Sequence, residues 1–261
     1  MSNPASVPPP SPRVTLASIN REAYIYFGAG ATVAWQMANP GVGRGVATHS
    51  STLERPLERL RATMAYVYAV TLGTEGQRKA IARHVNRAHA PVKGPGYSAF
   101  DRDLQLWVAA TLYRGALDVY RLFVGPVPEA DRERLYREAR RFGSTLQVDD
   151  GQWPADVDAF DRWWDAQVER LSVDDQVRAY MHAVLDGRHA PWYLRPAMPL
   201  QRFATRGLLP PRLRSLFAMD WSARDARRWE RFTRWAPRLY WKIPRVLRHW
   251  PAKYYLRQID E

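Results

Sequence analysis

Between Glu54 and Leu72 the apolar residues Leu57, Leu60, Met64, Val67, Tyr68 and Leu72 recur at i, i+3 and i+4 spacing. That period lays one apolar stripe along a helix and does not suit a strand, whose side chains change face at every residue. The same pattern predicts helices over 14–37, 54–72, 75–90, 102–124, 128–147, 155–170 and 173–187. Helix punctuation agrees with these bounds. Thr74 and Asp101 stand at N-cap positions, Pro128 leads an acidic first turn, and Gly73, Gly125 and Pro126 act as stops. No segment alternates long enough to make a strand, and none repeats. The fold class is therefore all-α, one domain of roughly ten helices.

Residues 1–13 are rich in proline and serine and read as a disordered arm. The main helical domain is assigned to 14–220, and basic aromatic helices over 221–261 are expected to pack on it. Gly28, Ala29, Gly30 and Ala31 would let a neighbouring helix, or a flat ligand, come close, and helix packing is the commoner outcome. NPGVGRGVATHS (39–50) holds three glycines and a proline before Ala47 and is expected to be an irregular loop. HAPWYLRPAMP (189–199) reads as a proline-rich connector. From 221 to 261 there are eleven basic and four acidic residues, with Pro237 and Pro244 expected to break the run into short pieces. This stretch suits a wrap around the bundle, with arginine stems covering apolar surface, better than a lid or a peripheral membrane foot.

Cysteine is absent, which removes disulfides, cysteine-bound zinc, iron–sulfur clusters and thioether-linked haem. The first residues lack the charged and apolar regions of a signal peptide, and no run of about 18 apolar residues occurs, so a cytoplasmic protein is expected. The net charge of +13 invites a nucleic-acid reading, but no nucleic-acid-binding motif accompanies it, and nucleic acid is not expected as a partner. Eleven Trp, thirteen Tyr and eight Phe can wall a pocket for a flat or oily ligand, or simply fill a core.

Six histidines are available for chemistry. His84 and His89, five apart, do not face one metal from one helix. His89 ends the helix that Pro91 and Gly94 stop, ahead of the turn GYSAFD and the apolar helix LQLWVAATL. An imidazole so placed suits a haem iron, although a lone histidine is more often a packed or surface residue. Arg59 and Thr63 share a face of the preceding helix. They could serve a haem propionate or iron-bound oxygen. Equally, Arg59 could pair with Glu54 or Glu58 while Thr63 bonds back to its own helix. Zincin, di-iron and hydrolase-elbow motifs are absent.

NPGVGRGVATHS, PLERLRATMAYVYAVTLGT, HAPVKG, GYSAFD, LQLWVAATL, FVGPV and RGLLPPRLR occur in an order and spacing that resemble one family over about residues 14–220. It comprises the latex-clearing rubber oxygenases and the oxygenase of mycophenolic acid biosynthesis. The resemblance implies a globin-like helical core with a non-covalent haem b pocket, and use of O2 to cleave isoprenoid double bonds. By the same resemblance His89 matches the proximal iron ligand, and Arg59 and Thr63 match the distal-helix pair beside the iron. His49 matches a loop histidine whose role is left open. Ala62, Ala109 and Asn39 stand where relatives carry a lysine or arginine and two histidines. These departures point away from rubber toward a small hydrophobic substrate, with Ala109 expected to free volume for it. The electron donor is not specified. Two other readings stay open: a haem protein that binds or senses a ligand without turnover, and a haem-free helical protein at a membrane surface.

Overall fold

The computed structural model describes residues 13–260, so the arm expected over 1–13 lies, but for Arg13, outside the described residues. Two helices form the centre. α2 (Ile25–Ala38) and α6 (Arg102–Phe123) pack more extensively than any other pair. Their approach depends on glycine: a methyl at Gly28 would lie 2.6 Å from Val119 Cγ1, and one at Gly115 only 2.2 Å from Thr32 Oγ1. Gly30 plays the same part toward α11 (Met198–Leu208), where Thr205 closes on it. The small-residue run is thus used for helix packing. At the end of α2, the Trp107 indole N–H is shared between the carbonyls of Trp35 (3.2 Å) and Gln36 (3.3 Å). Trp107 also stacks on Trp164 of α9 (Val157–Glu169), with ring centroids 4.9 Å apart. These rings lie in a continuous buried core.

The helix expected over 14–37 is broken. α1 (Leu16–Asn20), started by a Thr15–Ser18 capping box, is followed by a bend at 21–24. The cause lies more than 200 residues away. The backbone N–H of Ala23 donates to the Arg248 carbonyl (3.0 Å), and that of Tyr24 to the Tyr240 hydroxyl (3.2 Å). Donors that would have continued the helix are satisfied by the C-terminal arm instead.

Residues 39–50, expected as an irregular loop, fold as α3 (Pro40–His49). The Asn39 carboxamide oxygen accepts from the N–H groups of Gly41 and Val42, and Pro40 takes the first helical position, where its missing N–H costs nothing. The glycines are there for fit. Leu104 crowds Gly41, the Met37 carbonyl and Val177 crowd Gly43, and Tyr97 and Val92 lie against Gly45.

α4 (Pro56–Leu72) and α5 (Glu75–His89) follow the expected bounds closely, with Thr74 and Gln77 forming a capping box at the start of α5. A two-stranded antiparallel hairpin, β1 (Lys93–Gly94) and β2 (Tyr97–Ser98), then adds a little sheet that the sequence pattern did not announce. Its turn is Pro95–Gly96, with φ of 78° at Gly96, a backbone form suited to glycine. The helix expected over 128–147 divides into α7 (Glu129–Ala139) and α8 (Arg141–Ser144), and the division turns Phe142 inward, where the Tyr66 hydroxyl donates to its carbonyl.

After α10 (Asp175–Asp186), α11 and α12 (Pro211–Leu216), the chain ends in α13 (Ala223–Tyr240) and α14 (Arg245–Asp260). Pro237 does not break α13, which continues through it to Tyr240, and only Pro244 marks an interruption. α13 packs on α6, and α14 packs on α4 and α5. Their anchor is Glu22. Its buried carboxylate accepts from the Tyr240 hydroxyl (2.8 Å) and Arg248 (2.6 Å), and its other oxygen meets His249 Nε2 at 2.8 Å. Burial raises the carboxyl's pKa, but the hydrogen bonds from His249, Tyr240 and Arg248 outweigh it and hold Glu22 below the usual carboxylate range.

Candidate functional site

His89 is the last residue of α5, and the chain turns back immediately, the Val92 N–H closing on the His89 carbonyl at 2.9 Å. The imidazole is half-buried, with Phe100 edge-on at 6.4 Å between centroids. Its Nδ1 is sealed from water and has no hydrogen-bond partner among the described residues. A buried polar atom in that state is uncommon and calls for a reason. Burial lowers the ring's pKa, and the positive charge of Arg59 lowers it further, so both favour the neutral form. Neutral imidazole is the form that ligates a metal.

Arg59 stands on α4, the helix beside α5, and makes no ion pair among the described residues. The nearby Glu58 instead pairs with Arg55 at 3.3 Å. Water reaches the Arg59 side chain, yet the surrounding protein desolvates it enough to lower its pKa, with the Tyr180 phenol acting weakly the other way. An unpaired guanidinium is a ready partner for an anionic group. Tyr180 is buried on α10, its hydroxyl donating to the Ser50 carbonyl (3.4 Å) at the end of α3. No sequence signal singled it out.

Thr63 lies one turn beyond Arg59, and its hydroxyl donates to the Arg59 carbonyl (3.1 Å). Its proton is engaged by its own helix, so only its lone pairs are free toward a ligand. The charge of Arg59 bears on His89, whereas Thr63 contributes an acceptor at most. His49 points elsewhere: at the end of α3 it meets the Tyr97 hydroxyl of the hairpin at 3.1 Å and remains exposed. Among the described residues no group of three or more histidine, cysteine or acidic side chains could hold a metal ion. A porphyrin brings four ligands of its own, so a single imidazole is donor enough for haem iron.

Two of the three departures can be placed in the fold. Asn39 caps α3. Ala109, expected to free space for a substrate, is 1% exposed within the main core and opens no volume that water can enter. A separate cleft of about 460 Å³ lies between α10 and α11, lined by His182, Asp186, Arg202 and Arg206, and contains none of the predicted residues.

The model of the catalytic domain of the ER-bound oxygenase mpaB/B'/rubber oxygenase family matches residues 17–238. The chain belongs to this family. Two relatives, the uncharacterized proteins Mb2261 of Mycobacterium bovis and Rv2237 of Mycobacterium tuberculosis, are each 39% identical over 210 residues, covering 77% of this chain and 82% of theirs. No solved structure matches the chain. The mpaB/rubber oxygenase assignment extends past the resemblance seen in the sequence, into α13, and it agrees with a nearly sheet-free helical fold. No helix among the described residues is long and apolar enough to cross a membrane.

Proposed function

We propose that this member of the family is a haem b-dependent oxygenase that uses O2 on a small hydrophobic substrate. One observation carries the reading: the His89 imidazole, with a buried and unpartnered Nδ1, ends a helix packed against the one that carries Arg59, an arginine without an ion pair among the described residues. His89 would hold the iron, and Arg59 would hold a propionate or another anionic oxygen. When bound, haem supplies the iron centre at which O2 is activated for oxidative double-bond cleavage or a related oxidation. The protein's own contribution is positional. The α5 end and the turn after it fix the imidazole, and Phe100 supports its edge. Desolvation around Arg59 strengthens whatever charge interaction it makes. His49 and Tyr97 tie α3 to the hairpin that follows His89, which makes His49 a positioning residue. Thr63 can accept a hydrogen bond from a substrate hydroxyl but has no proton to donate.

A second reading, a haem protein that binds or senses a ligand without turnover, draws on the same engaged Thr63 and on Ala62, where relatives place a cation. The test has two steps. Haem-reconstituted His89→Ala should lose the Soret absorption of the parent protein or shift it, and an unchanged band refutes the ligand assignment. The parent, supplied with O2, reductant and small alkenes, should form carbonyl products; haem binding without product selects the second reading.

A further inference from the structure

Seven of the twelve exposed large apolar side chains among the described residues fall within 235–250, at the elbow joining α13 to α14. Trp235 and Leu239 share one face of α13, Ile243 lies in the connection, and Val246, Leu247 and Trp250 share one face of the start of α14. Val246 is 70% exposed, Leu247 61% and Trp250 58%, too open to count as core. The elbow is not frayed. Directly beneath it Tyr240 and His249 are buried on Glu22, Arg248 lies over the Trp241 ring at 4.4 Å, and the Trp241 N–H donates to the Phe123 carbonyl at 2.8 Å. A rigid, anchored segment thus holds its apolar side chains in water, which marks an interaction surface.

Charge identifies the partner. From Arg231 to Ile259 the chain has eight lysines and arginines and no acidic residue. Arg238, Lys242 and Arg245 are exposed among the apolar residues. A second copy of the chain would bring like charges together. A nucleic acid would satisfy the cations but leave Val246 and Leu247 without a partner. An anionic bilayer takes both, since aliphatic and indole groups enter the interface while lysine and arginine meet the headgroups. We propose that the α13–α14 elbow docks on an anionic lipid surface, independently of whether haem is bound.

Flotation of the full chain with phosphatidylcholine vesicles, with and without an equal part of phosphatidylglycerol, tests this. Binding is expected to the anionic vesicles alone and to weaken as salt rises. Val246→Ser with Leu247→Ser, and separately Lys242→Glu with Arg245→Glu, should each lower the partition constant by roughly ten-fold or more. Both pairs are exposed, so the circular-dichroism melting curve should not move. The proposal is overturned if the parent chain ignores anionic vesicles or binds neutral ones equally well. It is also overturned if both variants bind like the parent, or if the loss appears only in binding to duplex DNA.

Discussion

Replacing Glu22 with alanine removes the one acceptor on which three C-terminal side chains converge. Tyr240, Arg248 and His249 approach it at 2.8, 2.6 and 2.8 Å, and the Arg248 and Glu22 side chains are 11% and 12% exposed. Removing one partner of a buried ion pair costs about 3–5 kcal/mol, because the remaining charge stays desolvated. The small access to water places this case near about 3 kcal/mol. For a chain of this size roughly 2–4 °C is lost per kcal/mol, so the melting temperature should fall by roughly 6–12 °C. The loss should be local as well as global. Ala252, Tyr255 and Leu256 of α14 pack with Met64 and Tyr68 of α4, the helix that carries Arg59. Amide exchange in α14 should accelerate before exchange in α6 does. Tyr240→Phe, which removes one donor to Glu22 and leaves the Tyr24 N–H without its acceptor, should cost less, about 2 kcal/mol. If Glu22→Ala costs under about 1 kcal/mol in urea unfolding, or no more than Tyr240→Phe, the anchor is not what the geometry implies.

Acid should weaken the same anchor. Glu22's folded pKa lies below its unfolded one, so its stabilisation is complete above the ordinary glutamate value and disappears as pH falls through the lower, folded value. Glu22→Gln should flatten that part of a stability–pH curve. Arg59→Met should raise the His89 pKa toward the ordinary imidazole value in an NMR titration, since a repelling cation is removed; no change would separate the two residues. Gly28→Ala gains about 1 kcal/mol of helix propensity. It should nevertheless destabilise the protein by about 1–2 kcal/mol in urea unfolding, because Val119 stands 2.6 Å from the new methyl.

Local spacing carried much of the architecture. The stripe from Leu57 to Leu72 and the caps at Thr74 and Asp101 placed α4, α5 and α6 within a residue or two. What failed depended on distant partners. No local signal in the sequence says that Ala23 and Tyr24 will give their N–H groups to residues 248 and 240, so a continuous first helix was expected. Likewise the glycines of α3 read as loop until Leu104 is seen to close on Gly41 and the Met37 carbonyl on Gly43. At the site, His89 and Arg59 stood out through motif and helix face, whereas Tyr180 comes from a helix over a hundred residues later and carries no motif. The engagement of Thr63 was one of two readings open at the outset, and only its rotamer decides between them.

α3 is a poor helix former on its own. Three glycines in ten residues withhold roughly 3 kcal/mol of intrinsic helicity relative to alanine. A peptide of this sequence would be a coil in water. Its shape is borrowed from the neighbours that clasp it: α2, α10 and the hairpin, whose Tyr97 ring lies against Gly45 and is bonded to His49. Loosening those contacts should cost α3 its helix before α2 or α6 loses theirs.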